Sequence, residues 1–287
     1  MHPFEYVAPE TLPDVLALLR EHGEEARVLA GGQSLMPILT YRLAKPQLIV
    51  DINPLPLGDV TTDDGRLQLG ALVRHHQLEA SDVVRRRCPV LAEAARLIGN
   101  VRVRALGTVG GSLAHADPAA ELPAVMAALD ARLTVASARG ERHVEARDFF
   151  TGLLTTALAP DELLTAIDVP AVPAHGWAVE ELSRRAGDFA VVAVVALLSV
   201  DARGHVDDVR VAFAGVRDRP VRAGAAEDAL RGHEPTTERL AQAAAAARAA
   251  LDPPSDAFVS GEYRRMVAGV LCRRALARAV TRALEAR

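Results

Sequence analysis

Cysteine is nearly absent from this sequence of 287 residues, which contains only Cys88 and Cys272. Two cysteines so far apart cannot form a disulfide framework, and they cannot supply the ligand set of a zinc site or an iron–sulfur cluster. Each is therefore expected to be a buried small apolar residue or a reduced surface thiol.

Aromatic residues and an excess of either charge are also lacking. The chain has one Trp, three Tyr and six Phe, and its net charge of −4 arises from 33 basic and 37 acidic residues without a basic block. Few rings for base stacking and no cationic face argue against a nucleic-acid partner. The longest apolar run, Phe189–Val200, is shorter than the roughly 20 residues that span a bilayer. With no apparent leader peptide, the sequence predicts a soluble, cytoplasmic protein.

Familiar catalytic and nucleotide motifs are missing as well. The chain has no G-x-G-x-x-G or P-loop spacing, and no nucleophile or H-E-x-x-H pattern. His75, His76 and His115 have no carboxylate or cysteine at ligand spacing, so we predict no metal site and no catalytic side chain.

Two glycine turns are what the sequence does contain. The first glycine turn, Ala30–Ser34, follows a short apolar run, and the second glycine turn, Leu106–Leu113, lies about eighty residues later. Glycine lets the backbone approach a ligand closely, and Ser34 suits the N-cap of a helix, where free backbone N–H groups favour a phosphate. One Gly–Gly pair is most often an ordinary turn, but two predict a diphosphate held from both sides, as in a dinucleotide.

Hydrophobic periodicity predicts three parts. A β–α–β unit comprises strand 27–30, helix 34–43 and strand 47–52. Mixed strands and helices follow, and a proline-spaced linker at 170–174 precedes three strands and a helical bundle. The three strands are Gly176–Ser183, Ala190–Val200 and Val206–Gly215, with a hairpin turn at 201–204. We therefore expect an α+β chain with domains 1–57, 58–173 and 174–287.

The motifs together resemble a known family. Ala30–Ser34, Ile98–Arg104, Gly107–Pro123 and Ser183–Ala190 are similar, in order and spacing, to the FAD-binding medium subunit of the molybdenum hydroxylases, which include xanthine dehydrogenase and aerobic carbon monoxide dehydrogenase. The resemblance covers essentially the whole chain. It implies two FAD-binding subdomains of the PCMH/VAO type, followed by a C-terminal three-stranded antiparallel sheet with a helical bundle.

The resemblance also implies the cofactor contacts. Gly31, Gly32, Gln33 and Ser34 would meet the FAD diphosphate, and since Gln33 is no nucleophile, we predict non-covalent FAD. Thr108 and Ser112 would contribute to the second face, although either could equally cap the following helix. Asp117 could contact FAD or cap a helix, Glu121 would accept from cofactor hydroxyls, and Arg184 would approach the flavin or form a surface ion pair. The full predicted set is Ala30, Gly31, Gly32, Gln33, Ser34, Ile98, Thr108, Gly110, Gly111, Ser112, Asp117, Glu121, Leu164 and Arg184.

The implied function is electron relay by an oxidoreductase subunit. A large molybdenum-cofactor subunit and a small [2Fe–2S] subunit would be the partners, in a dimer of heterotrimers, and FAD would pass electrons to an external acceptor. The scarcity of cysteine agrees with iron–sulfur clusters on another chain. Two alternatives remain open at this point: a free-standing FAD oxidase or reductase, and an assembly subunit without cofactor. Neither the substrate of the complex nor the acceptor follows from the sequence.

Overall fold

The computed structural model of the chain describes residues 1–63, 65–170 and 176–286. The N-terminal body consists of β1 (Glu5–Val7), α1 (Leu12–His22), β2 (Ala26–Leu29), α2 (Leu35–Thr40) and β3 (Leu48–Asp51). Strand β3 lies between β1 and β2 and is parallel to both, which confirms the predicted β–α–β unit and adds the short edge strand β1.

Helix α1 shows how local sequence sets these elements. The Thr11 hydroxyl accepts from the Asp14 N–H at 3.3 Å, and Pro13 lies in the first turn, where its missing N–H costs nothing. The helix ends at Gly23, where φ is 50°. Its apolar face, which includes Val15 and Leu19, is buried with β3 in the core of this body.

The middle body surrounds an antiparallel sheet. Its elements are β4 (Val60–Asp63), β5 (Arg66–Gly70), α3 (His75–Ala80), α4 (Asp82–Arg87), α5 (Pro89–Leu97), α6 (Val101–Leu106), α7 (Val109–His115), α8 (Glu121–Leu129), β6 (Arg132–Ser137), β7 (Gly140–Glu145), α9 (Ala146–Phe149), β8 (Phe150–Gly152), β9 (Thr155–Thr156) and β10 (Leu163–Val169). Among the described residues, the main sheet has the order β4-β5-β10-β6-β7. Helices α3 and α4 are separate elements, because Ser81 between them is extended and its hydroxyl caps α4 by accepting from the Val84 N–H.

The C-terminal body packs one sheet against helices. It contains β11 (Gly176–Ser183), β12 (Ala190–Val200), β13 (Val206–Ala214), β14 (Val221–Arg222), α10 (Gly224–Leu230), α11 (Thr237–Ala250) and α12 (Gly261–Glu285). The three predicted strands and their hairpin are confirmed, and β14 adds a fourth, two-residue edge strand. Alternate residues of the almost wholly buried β12 belong to different cores, with Val195 packed toward the middle body and Val194 packed among the C-terminal helices.

Glu93 on α5 joins the middle and C-terminal bodies. Its carboxylate accepts hydrogen bonds from Trp177 Nε1 and the Val179 N–H, both at 3.1 Å, and from Arg278 at 3.0 Å and Arg282 at 2.7 Å. The Arg282 guanidinium also stacks over the Trp177 ring at 4.6 Å. Since charge-assisted hydrogen bonds are the stronger kind, this junction holds the two bodies in one orientation.

One sequence prediction falls mostly outside the described residues, namely the linker at 170–174, of which only Pro170 is described. Across the described segments, none of the helices is both long enough and apolar enough to span a bilayer.

Candidate functional site

A cavity of about 600 Å³ opens where the N-terminal and middle bodies meet the loop of residues 184–189. We call it the clamp cavity, because residues 30–34 of the first glycine turn line it together with five residues of the second, Gly107, Thr108, Gly110, Gly111 and Ser112. Its volume is within the range of small-molecule and cofactor sites. Segments about eighty residues apart in sequence therefore meet at one site, as the sequence predicted.

The first glycine turn offers unused hydrogen-bond donors. Gly32 has a φ of 69°, and Gln33 Nε2 donates back to the Gly31 carbonyl at 2.8 Å, which stabilises the turn. The N–H groups of Gly32, Gln33 and Ser34 donate to no other described residue. Ser34 occupies the N-cap position of α2, yet its hydroxyl makes no capping bond. The turn therefore presents backbone and hydroxyl donors at a helix N-terminus, which is an environment that favours an anion.

The second glycine turn differs, because most of its N–H groups are already paired within the protein. Val109 donates to the Val73 carbonyl at 2.9 Å and Gly110 to the Ala71 carbonyl at 2.8 Å. Thr108 Oγ1 caps α7 by accepting from the Gly111 N–H at 3.0 Å, so Thr108 has the capping role that the sequence left open. In the described chain, the Ser112 hydroxyl has no partner. This turn therefore contributes glycine backbone without side chains, which a ligand can approach closely, and the Ser112 hydroxyl.

Glycines at two positions are required by contact between protein segments. A Cβ at position 31 would lie 2.2 Å from the Leu106 carbonyl oxygen and 2.8 Å from Gly107 Cα. A Cβ at position 110 would lie 2.6 Å from Ala71 Cβ. Since real Cβ atoms do not approach other atoms so closely, Gly31 and Gly110 allow the two turns to pack directly on their neighbours.

A polar bracket that the sequence analysis missed links the two turns. Asn53 Nδ2 donates to the Ala30 carbonyl at 2.9 Å, and Arg74 donates from one terminal nitrogen to Asn53 Oδ1 at 2.6 Å and from the other to the Leu106 carbonyl. Asp51 orients Asn53 by accepting from its backbone N–H at 2.9 Å. These residues follow β3 and precede α3, and only the tertiary structure shows that they meet.

Two carboxyl groups lie on the cavity wall at the start of α8. Asp117 Oδ1 accepts from the Ala119 N–H at 2.9 Å, and the N-cap of α8 is Ala120, so Asp117 does not cap that helix. Glu121 is only 4% exposed. Burial, reinforced by the charges of Glu181 and Asp117, raises the pKa of Glu121 to about 7. Burial likewise raises the pKa of Glu181 to about 7, and its Oε2 is buried without a partner. Near neutral pH, Glu121 is therefore poised between carboxylic acid and carboxylate.

Apolar residues form the remaining walls. Ile98 follows α5, and Leu164 lies on β10 immediately before a break in strand register, where Leu164 pairs with Val135 and Ala166 pairs with Thr134. A β-bulge of this kind leaves backbone groups out of the ladder and commonly occurs beside binding sites. Leu158 and Phe189 extend the apolar lining, and the Phe189 side chain is exposed at the rim.

Arg184 is the one predicted site residue that does not line the clamp cavity. Its guanidinium lies over the Phe258 ring at 4.5 Å, beside a smaller cavity of about 410 Å³. Of the histidines, His75 and His115 line the clamp cavity, whereas His76 is exposed. Among the residues the structure describes, no three His, Cys, Asp or Glu side chains are placed to hold a metal ion.

The residues of the clamp cavity fit an extended ligand with an anionic centre. Unused N–H groups and the free hydroxyls of Ser34 and Ser112 lie at the meeting of the turns, whereas carboxyls and apolar side chains line the remaining walls. Such an arrangement can pair phosphate oxygens, accept from sugar hydroxyls and cover a flat apolar ring.

Two models of known protein families match the chain, and both describe flavoprotein domains. The profile described as "FAD binding domain in molybdopterin dehydrogenase" matches residues 2–172, and the one described as "CO dehydrogenase flavoprotein C-terminal domain" matches residues 177–279. The two matches cover nearly all of the chain in the expected order.

Individual relatives match over their full length. The chain is 38% identical to the 6-hydroxypseudooxynicotine dehydrogenase complex subunit alpha of Paenarthrobacter nicotinovorans, over 98% of this chain and 95% of the relative. It is also 38% identical to the carbon monoxide dehydrogenase medium chain of Afipia carboxidovorans, over 98% of both chains. A chain in the crystal structure of quinoline 2-oxidoreductase from Pseudomonas putida 86 has a TM-score of 0.95 at 36% identity, over 99% of both chains.

Proposed function

Because the chain belongs to the family of FAD-binding medium subunits of molybdenum hydroxylases, we propose that the clamp cavity is its FAD site and that the bound flavin relays electrons within an enzyme complex. The chain is thus an oxidoreductase subunit. When bound, FAD supplies the redox chemistry, and this chain's residues bind, orient and shield it. We propose that the cofactor is held without a covalent bond.

The unused N–H donors of the first glycine turn are the main support for placing the FAD diphosphate there. The N–H groups of Gly32, Gln33 and Ser34 need an acceptor, and the N-terminus of α2 favours negative charge. The Ser34 and Ser112 hydroxyls would add donors from opposite sides. Gly31, Gly110 and Gly111 would keep the backbone close enough for both turns to reach one diphosphate.

The other predicted residues would support the remainder of FAD. Asp117 and Glu121 are placed to accept from cofactor hydroxyls, and Ala30, Ile98 and Leu164 would pack against apolar parts. Thr108 would act indirectly by capping α7. Arg184 would have to leave Phe258 to reach a ligand in the clamp cavity, so its predicted approach to the flavin requires that movement.

Assembly with partner chains follows from the family. The relatives include a subunit of a dehydrogenase complex and a medium chain, which are components of multisubunit enzymes. We propose that this chain assembles with a large molybdenum-cofactor subunit and a small [2Fe–2S] subunit, as a dimer of heterotrimers in the cytoplasm. Domains 1–57, 58–173 and 174–287 would then be two FAD-binding subdomains and a C-terminal flavoprotein domain.

FAD titration of the purified chain, followed by flavin fluorescence, tests this proposal. Wild type should bind FAD and release it on denaturation. Gly31→Ala should lose binding because its Cβ would lie 2.2 Å from the Leu106 carbonyl oxygen. Gly58→Ala is the matched control, because that Cβ would meet no atom within 4 Å.

A second variant tests the same site with a smaller structural change, in case Gly31→Ala does not fold. Ser34→Ala removes a hydroxyl that makes no capping bond, so the fold should persist while the dissociation constant for FAD rises about tenfold. A folded chain that binds no FAD would overturn the proposal. Molybdenum and iron that co-purify with this chain support the relay, whereas turnover by the isolated flavoprotein would favour a free-standing oxidase.

A further inference from the structure

His75 is a buried side chain of the clamp cavity for which the proposed function has no role. It is the first residue of α3 and is only 4% exposed. Its backbone N–H donates to the Gly107 carbonyl at 3.0 Å, so the second glycine turn determines the position of this residue. His75 lines the clamp cavity.

The Nε2 edge of the ring lies at the meeting of the two glycine turns. A Cβ at position 107 would lie 2.6 Å from His75 Cδ2 and 2.8 Å from Nε2. Gly107 also packs on the first turn, since a Cβ at position 31 would lie 2.8 Å from Gly107 Cα. The ring is therefore next to the place where the diphosphate is proposed to bind.

Neither ring nitrogen is satisfied within the described chain. Nδ1 is buried and has no hydrogen-bond partner, and no other described residue pairs with Nε2. A buried polar group without a partner costs free energy, and an unpaired N–H donor is rarer in proteins than an under-satisfied acceptor. The proton should therefore reside on Nε2, on the side of the glycine turns.

The ring is also neutral at physiological pH. Burial, together with the positive charges of Arg74 and Arg104 and the neighbouring His76, lowers the pKa of His75 to about 4. A neutral imidazole with its proton on one nitrogen donates a single directed hydrogen bond.

We infer that His75 donates a hydrogen bond from Nε2 to the diphosphate of the bound cofactor. This inference rests on the proposed function, because it requires FAD in the clamp cavity. It assigns a binding role to a residue that belongs to neither glycine turn. Nε2 has no partner among the described residues, and a phosphate oxygen of the cofactor would supply one, whereas Nδ1 stays an unpaired acceptor.

Substitutions at position 75 separate a hydrogen bond from simple packing. His75→Leu fills the space of the ring with an apolar side chain but removes the donor, and the dissociation constant for FAD should rise about 10- to 100-fold. His75→Gln retains an N–H donor and should remain within a few fold of wild type. His76→Leu, on the exposed neighbour, is the matched control and should have no effect.

Nitrogen-15 NMR of the His75 ring provides a readout that a packing role would not change. The free wild-type protein should show the proton on Nε2, and the Nε2 resonance should shift on addition of FAD or of ADP, which also contains a diphosphate, but not of riboflavin. A folded His75→Leu variant with unchanged FAD affinity, or an Nε2 resonance unmoved by FAD, would overturn the inference. A wild-type chain that binds no FAD would instead refute the proposed function.

Discussion

Glu121→Gln should remove a large contribution to the pH dependence of stability in the cofactor-free protein. Burial raises the pKa of this carboxyl from its ordinary 4.5 to about 7. At about 1.4 kcal/mol per pKa unit, this raised pKa corresponds to about 3 kcal/mol of folding free energy. The magnitude applies to a side chain with almost no solvent contact, because Glu121 is 4% exposed.

The sign follows from which state binds the proton more tightly. Below about pH 4.5 the carboxyl is neutral in the folded and unfolded states, so its burial costs no ionisation penalty. Between about pH 4.5 and 7 the unfolded state ionises while the folded state retains its proton, so the free energy of unfolding falls as pH rises. Above about pH 7 the full penalty is present, and a glutamine avoids it. The variant should therefore be more stable than wild type at pH 8 and nearly equal to it at pH 4.5.

Urea denaturation at several pH values, followed by circular dichroism, measures the free energy of unfolding of wild type and of Glu121→Gln. Glu162→Gln provides a control of opposite sign. Arg142 donates to Glu162 at 2.7 and 2.6 Å and holds the pKa of that carboxyl below its ordinary value, so this variant should lose stability at neutral pH. Parallel pH profiles for wild type and Glu121→Gln would refute the reasoning, because they would show that Glu121 ionises as easily in the folded state as in the unfolded state.

Three further results are expected. Glu93→Ala should lower the free energy of unfolding by about 2–3 kcal/mol, because it leaves the Trp177 indole N–H and two guanidinium groups without their shared acceptor; Glu93→Gln should lose less in the same urea titration. Asn53→Ala should weaken FAD binding about tenfold in a fluorescence titration without unfolding the chain, because it breaks the polar bracket between the glycine turns; equal affinity would show that the bracket is dispensable. Cys88 and Cys272 should resist thiol reagents in the native protein and react after denaturation, because both are buried and burial raises the pKa of each thiol to about 12; rapid native labelling would contradict this.

Much of the fold could be predicted because its signals are local. Thr11, Pro13 and Gly23 mark the ends of α1, and the three long C-terminal strands agree with their predicted bounds to within one residue. Signals were weak where elements are short. The edge strands Glu5–Val7 and Val221–Arg222 have too few residues to show a period, and both form only because a longer strand is available to pair with them.

The candidate site was predictable as a set of residues but not as a set of contacts. The paired glycine turns were recognisable because glycine-rich turns before helices have a distinct sequence pattern. The roles of Asn53, Arg74 and His75 were not, because these residues meet the turns only through tertiary contacts. The cofactor contacts remain predictions, including that of Arg184, which stacks on Phe258 instead of lining the clamp cavity.

The sequence by itself determined the order of elements, the two glycine turns and the scarcity of cysteine that excludes a cluster on this chain, because each depends on residues close together or on composition. Only the tertiary structure decided that the first turn retains free N–H groups while the second turn has paired most of its own, and that Glu121 is buried beside other carboxyls. Hydrogen bonding and desolvation depend on which distant segments come together, and no local pattern in the chain encodes that.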